Sequence, residues 1–286
     1  MRATTRLAQL VRRPEILLAP GVYDAYLARC VQAAGFEALY MTGAGVSHSR
    51  LGVPDLGLLT YPEMLDTAAR IADATDLPLI ADADTGYGNA LNVARTIKGY
   101  ERAGVAGCHI EDQVFPKRCG HFDRKRVIAL DEMLGKLRAA LDARTDPDFQ
   151  IIARTDARTV DGLDAAIERA RAFVEVGVDV VFVESPRSED ELARIAREVD
   201  APLLANMVET GLTPLLPAAR LEALGYAVMI HPGALGRFIG KQVGEFLARM
   251  RADGTTLPQI DRMLDFQSQN AIVDLPGHLE RAARYE

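Results

Sequence analysis

The chain has 286 residues, 49% of them apolar, and a net charge of −7. These values suit one large domain with a substantial core and give no general attraction to nucleic acid or anionic lipid. Cys30 and Cys108 stand inside apolar runs and Cys119 in a polar loop, so the three cysteines make neither a disulfide framework nor a tetrahedral zinc set. The N-terminal stretch lacks the apolar core of a signal peptide, and no segment approaches the roughly 18 apolar residues of a membrane span; a cytoplasmic protein is expected.

Short β-branched apolar runs predict strands at 16–20, 38–42, 77–82, 107–111, 149–155, 178–184, 202–206 and 227–231, each ending in polar or glycine-containing residues. Between them, helical periodicity predicts helices near 25–34, 62–74, 90–103, 130–144, 163–176, 189–198 and 217–224, followed by 235–251. Asp24 is placed to cap the first of these. Eight βα units predict a closed (β/α)8 barrel, with the strand C-terminal ends and their loops on one catalytic face. An open doubly wound sheet ranks second, because no G-x-G-x-x-G follows the first strand. The barrel is assigned to 1–254 and a helical extension to 255–286. That amphipathic extension needs an apolar surface, on its own barrel or on a neighbouring subunit.

Polar groups recur where the strands end. Asp82 and Asp84 share one side of a strand, so their carboxylates repel unless a cation lies near them. Asp55 and Glu111 could add oxygens, and an all-oxygen set without paired histidines favours Mg²⁺ over zinc, with Mn²⁺ as a substitute. The plainer reading of Asp-x-Asp at a strand end is loop capping. Arg154 is a bidentate clamp for a substrate carboxylate or a structural partner of Glu111 or Glu184, and both can hold. Thr42, Gly43 and Ala44 offer a hydroxyl and backbone N–H groups to an anion or make a simple tight turn. Asn206 binds a carboxylate or holds a loop. His109 reads as a core residue, His48, His231 and His278 as weaker candidates, and the cluster Arg124-Lys125-Arg126 as a solvated loop end.

The loop Lys117-Arg118-Cys119-Gly120-His121 presents one thiol among cations. Lys117, Arg118 and His121 would favour a thiolate at Cys119, and Gly120 lets a substrate approach the backbone closely. A surface loop with incidental charges is the alternative.

Taken in order, Asp82-Ala83-Asp84-Thr85-Gly86-Tyr87-Gly88, His109-Ile110-Glu111-Asp112-Gln113, Lys117-Arg118-Cys119-Gly120-His121 and Ala153-Arg154-Thr155-Asp156-Ala157 resemble the isocitrate lyase and phosphoenolpyruvate mutase superfamily. The likeness runs from about residue 21 to 254. Within it the thiol loop resembles the lyase branch, with its 2-methylisocitrate and 2,3-dimethylmalate lyases. The resemblance implies a (β/α)8 barrel, a homotetramer built from dimers that exchange the last helix, and Mg²⁺ held by Asp82 and Asp84, with Asp55 and Glu111 acting through water. It also implies a pocket of Thr42, Gly43, Ala44 and Arg154 for the pyruvate-like half of a carboxylate substrate. Cys119 is then the general acid, Gly120 its backbone contact, and Glu184, Asn206 and Arg237 further substrate or support positions, with Tyr40 as base or orienting phenol.

The implied reaction is retro-Claisen cleavage of a 2-hydroxy di- or tricarboxylate to pyruvate, or a related 2-oxo acid, and a carboxylate. Phe115 to Phe122 would close over it. Against the tricarboxylate type, Phe266 stands where an arginine is expected and Val208 where a threonine is; Arg237 pulls the other way. Phosphonate chemistry, as in phosphonomutases or phosphonopyruvate hydrolase, and a non-catalytic barrel scaffold are the competing readings, and Cys119 argues against the first.

Overall fold

A computed structural model describes residues 1–120, 122 and 124–286; His121, expected beside Cys119, lies outside them. Among the described residues eight parallel strands close a barrel in sequence order: β1 Leu17–Val22, β2 Leu39–Met41, β3 Leu79–Asp82, β4 Gly107–Glu111, β5 Gln150–Thr155, β6 Val180–Val183, β7 Leu203–Asn206 and β8 Val228–His231. Pairing of Leu17 with Val228 through Pro20 with His231 joins the last strand to the first. β1 runs two residues further than its apolar run suggests, because Gly21 and Val22 pair with Tyr40 and Met41.

Strand alternation sorts the residues into two layers. Leu39, Met41, Leu79, Ala81, Cys108, Ile110, Ile151 and Ala153 face the surrounding helices, with Met64, Ile97, Leu137 and Phe173 against them. The other set, including Leu17, Ala19, Ile80, Ile152, Val180, Phe182, Leu204 and Ile230, fills the barrel interior. Two residues further along the same inward faces stand Asp82, Arg154, Glu184 and Asn206. The interior is therefore apolar at the base and ionic at the C-terminal rim, which places the candidate site.

The base is closed by a helix that the strand pattern gave no reason to expect, Ala3–Arg12. Leu7, Leu10 and Val11 are buried with the interior set, each burial contributing roughly 1.5–3 kcal/mol. Gly107 makes the room: a Cβ there would stand 2.8 Å from Gln150 Cβ and 3.2 Å from Leu7 Cδ2.

The seven intervening helices follow the predicted spans within a residue or so, and 163–176 and 189–198 match outright. Asp24 caps its helix, accepting from Leu27 N at 2.8 Å. After β8 the helix Ala234–Asp253 has no buried residue; only Leu235 and Ile239 pack partly against the core. The tail then forms Leu257–Arg262, Phe266–Ile272 and Leu275–Ala283, the middle one lying beside Ala25–Ala33 of its own barrel. Among the described residues no helix is long and apolar enough to cross a membrane.

Candidate active site

At the C-terminal rim a cavity of about 520 Å³ is lined by Tyr40, Thr42, Asp55, Asp82, Cys119 and Arg154, with Lys117, Gly120, Glu184, Asn206, Val208 and Arg237 completing its walls. The inward alternation of five strands, with the loops after β2 and β4, thus brings most of the sequence candidates to one chamber, while Gly43, Asp84 and Glu111 lie outside its lining.

Its floor is acidic. Asp82 ends β3, and its Oδ1 accepts from Asp84 N at 2.9 Å while Oδ2 accepts from Gly43 N at 3.1 Å. Gly43 is required here, since a Cβ would meet Asp82 Oδ2 at 2.6 Å. Lys117 reaches in from the loop after β4, donating to Asp55 Oδ1 at 2.6 Å and lying 2.8 Å from Asp84 Oδ1. The latter approach is an ion pair without hydrogen-bond alignment. Burial, with the neighbouring Asp82 and Asp55 carboxylates, pushes Asp84 up to about 6 despite Lys117. Burial also drives Glu111 well above the usual carboxylate range, and its Oε1 has no hydrogen-bond partner among the described residues.

Asp55, Asp82, Asp84, Glu111, Asp156 and Glu184 are six buried carboxylates facing three buried cations, Lys117, Lys125 and Arg154. This surplus of hard oxygen donors fits a divalent cation of the magnesium type. Among the described residues no three such side chains form a ready cage for a metal ion.

Arg154, at the end of β5 and expected as a carboxylate clamp, is itself clamped. Its Nε and Nη2 donate to Asp156 at 2.9 and 3.2 Å, Nη1 lies 3.3 Å from Glu111 Oε2, and Nη2 lies 3.3 Å from Glu184 Oε2. The expected partners Glu111 and Glu184 are present, but the strongest is Asp156, which the sequence did not single out as a partner. Although burial opposes ionisation, Arg154 and Lys125 hold the Asp156 carboxyl well below its usual range. Glu184 also accepts from Asn206 Nδ2 at 3.0 Å, so Asn206 braces the clamp.

Tyr40 and His109 share the interior above the apolar base. Tyr40 Oη and His109 Nε2 are 2.7 Å apart, the rings stack at 5.8 Å, and Nε2 lies 3.4 Å from Asp82 Oδ1. Burial raises the Tyr40 phenol well above its ordinary value and lowers His109 to about 4. Tyr40 is thereby kept a neutral phenol, which suits orientation better than proton abstraction. His109, read as a core residue, is indeed fully buried, but it stands beside the acidic floor.

The thiol loop lies over this floor. Gln113 pairs with Val127 in an antiparallel bridge, and its side chain both accepts from Arg118 N at 3.0 Å and donates to Arg118 O at 2.8 Å. Cys119 N donates to Asp55 O at 3.3 Å. Gly120 abuts the clamp, where a Cβ would come within 2.5 Å of Arg154 Nη2.

Two expectations are corrected, and a third residue is placed. Lys117 is committed to Asp55 and Asp84 rather than left to polarise the thiol. Lys125 is no solvated loop end: it is buried, pairs with Asp156 Oδ1 at 2.6 Å and donates to Gly120 O. Phe266, compared above with an arginine position, is 81% exposed in the tail and does not line the cavity. Thr42 caps the short helix Gly43–Val46, accepting from Gly45 N at 3.3 Å, so the tight-turn reading describes its backbone. Ala44 lines the cavity. Arg237 Nη1 donates to Glu209 O and, at 3.1 Å, to Thr210 Oγ1.

The family model described as phosphoenolpyruvate phosphomutase matches residues 7–251. The chain belongs to this family. A 2,3-dimethylmalate lyase of Eubacterium barkeri is 46% identical over 96% of this chain and 95% of its own length, and a 2-methylisocitrate lyase of Escherichia coli (strain K12) is 43% identical over 89% and 85%. Among solved structures, an oxaloacetate acetylhydrolase in complex with 3,3-difluorooxalacetate superposes with a TM-score of 0.94 at 39% identity, covering 99% of this chain and 97% of that one. A phosphonopyruvate hydrolase in complex with oxalate and Mg²⁺ does so with a TM-score of 0.87 at 29% identity, covering 99% and 98%. The family member described here is a lyase of the phosphoenolpyruvate mutase/isocitrate lyase superfamily.

Proposed function

We propose that the protein cleaves an alkyl-substituted malate, of the 2,3-dimethylmalate kind, to pyruvate or a related 2-oxo acid and a carboxylate. The observation that carries this reading is the seating of Gly120 against Arg154 and Glu184, which holds the thiol-bearing loop over the same chamber as Asp82, with Asp84 bound to Asp82 behind it. Asp82 and Asp84 would hold Mg²⁺ or Mn²⁺, with Asp55 and Glu111 acting through water. Once bound, the ion supplies positive charge beside the hydroxyl and carboxylate oxygens of the substrate.

The chain's own groups then divide the work. Arg154, fixed by three carboxylates, orients the 2-hydroxy acid end together with Thr42, Gly43 and Ala44, and the Tyr40 phenol orients the hydroxyl. Loss of the hydroxyl proton turns the C–O bond into a carbonyl as the C2–C3 bond breaks. Its electron pair passes to the departing carboxylate as an enolate, and the Cys119 thiol gives its proton to C3. The covering loop keeps water from protonating that enolate first.

Val208, Ile239, Val243 and Phe122 give the cavity mouth an apolar lining, which suits alkyl groups. Arg237 is already engaged with Glu209 and Thr210, which favours a dicarboxylate over 2-methylisocitrate. The exposed Phe238, Leu247 and Met250 on Ala234–Asp253 support a homotetramer, a dimer of dimers exchanging this helix, with the tail 255–286 reaching a neighbouring subunit from its seat beside Ala25–Ala33.

The test is a substrate panel with Mg²⁺, with and without chelator. Chelator-sensitive pyruvate release from alkylmalates in preference to methylisocitrate supports the reading. Phosphate from phosphonopyruvate, or oxalate and acetate from oxaloacetate, as the main activity rejects it.

A further inference from the structure

Lys125 stands outside the group of residues that face the cavity, yet it is buried and makes two contacts that belong to different parts of the site. Its ammonium pairs with Asp156 Oδ1 at 2.6 Å, and the same nitrogen donates to the carbonyl oxygen of Gly120. Asp156 is the main anchor of Arg154, so a single carboxylate joins the substrate clamp to the thiol loop. The Gly120 carbonyl also lies 3.2 Å from Ser185 Oγ at the end of β6, a hydroxyl whose one proton is shared with Glu184 Oε1 at 3.0 Å. A buried ammonium is costly without its partners, and among the described residues its partners are Asp156 and Gly120.

We propose that Lys125 is a positioning residue that latches the Cys119-Gly120 segment onto the Asp156–Arg154 pair. It touches no substrate position; it acts through the Gly120 backbone, and through it sets the place of the neighbouring thiol. When the loop lifts, the Gly120 oxygen leaves and Lys125 and Arg154 share Asp156 alone; when it seats, the ammonium completes its contacts and the thiol stands over the clamp. The consequence for turnover rests on the lyase reading, whereas the latch itself does not.

The experiment follows iodoacetamide alkylation of Cys119 and Cys30 separately, by mass spectrometry of their peptides, in the full-length protein without substrate. Cys30 lies on Ala25–Ala33, away from the loop, and reports general loosening. In Lys125→Met, Cys119 alkylation is expected to rise at least about fivefold with Cys30 unchanged, and Lys125→Arg, which keeps a cation for Asp156, is expected to restore most of the protection. An unchanged Cys119 rate overturns the latch. Equal acceleration at both cysteines also overturns it, since Lys125 would then support the barrel rather than the loop. With an alkylmalate substrate, kcat is expected to fall about tenfold or more while KM moves far less. If the parent protein turns over no 2-hydroxy acid, the lyase reading fails and the alkylation result still decides the latch.

Discussion

Replacing Gly120 by alanine asks whether the loop must sit where it does. The new Cβ would stand 2.5 Å from Arg154 Nη2 and 2.8 Å from Glu184 Cγ and Cδ, about an ångström inside a comfortable contact. Neither neighbour can swing away cheaply. Arg154 is held by two hydrogen bonds to Asp156, and Glu184 by Asn206 at 3.0 Å. The loop must lift instead, at a cost of about 1–3 kcal/mol by comparison with overpacked cores, lowering the covered population about 5- to 150-fold. If the chemistry needs the covered state, kcat for pyruvate release falls by a similar factor, while the melting temperature shifts little because the barrel is untouched. Gly135→Ala is the control: nothing lies within 4 Å of its Cβ in Leu130–Ala143, so stability rises by about 1 kcal/mol with activity unchanged. A Gly120→Ala protein whose kcat stays within about twofold of the parent would refute the reasoning.

Cys119→Ser is expected to lower kcat at least about 100-fold while leaving pyruvate binding intact by calorimetry; near-normal turnover removes the thiol from the mechanism. Leu7→Ala opens a void under the barrel and costs about 2–5 kcal/mol, read from the urea midpoint; a loss under about 1 kcal/mol would mean that the N-terminal helix does not seal the base. Asp179 accepts from Ile151 N at 2.8 Å and Arg144 Nη1 at 2.6 Å, yet burial raises its carboxyl above the ordinary 3.8. The folded protein therefore keeps a proton there that the unfolded chain has lost, so this group makes stability fall as pH rises past 3.8 until the folded carboxyl has also ionised. Comparing the pH dependence of the urea midpoint for Asp179→Asn and the parent isolates that slope, and a parent slope of the opposite sign from this residue contradicts the assignment.

The barrel was legible because its strands carry their own signature. Runs such as 178–184 and 202–206 are apolar on both faces, as a parallel strand between helices and a packed interior must be. The places of Asp82, Asp84 and Arg154 at the rim were legible because each stands at or just past the end of such a run. The role of Lys125 was not. A basic triplet looks solvated until its partner is known, and Asp156 lies 31 positions away on another strand end. Lys117 misled in the same way, its acidic partner Asp55 being 62 positions distant. His109 sits in an apolar run, and only the closure of the barrel reveals that its imidazole meets Tyr40 and Asp82. The Ala3–Arg12 helix has the right spacing at Leu7, Leu10 and Val11 but is too short for periodicity to separate it from an irregular arm.

Because Leu7, Leu10 and Val11 stopper the foot of the barrel, molecules that enter from the rim must leave by the same doorway. On the lyase reading, the oxo-acid fragment lodged beside Asp82 and Arg154 is trapped behind its sibling and goes last. Departure is then a queue with a fixed order, in which the deep fragment, returning from solution, competes directly with incoming substrate while the shallow one does not.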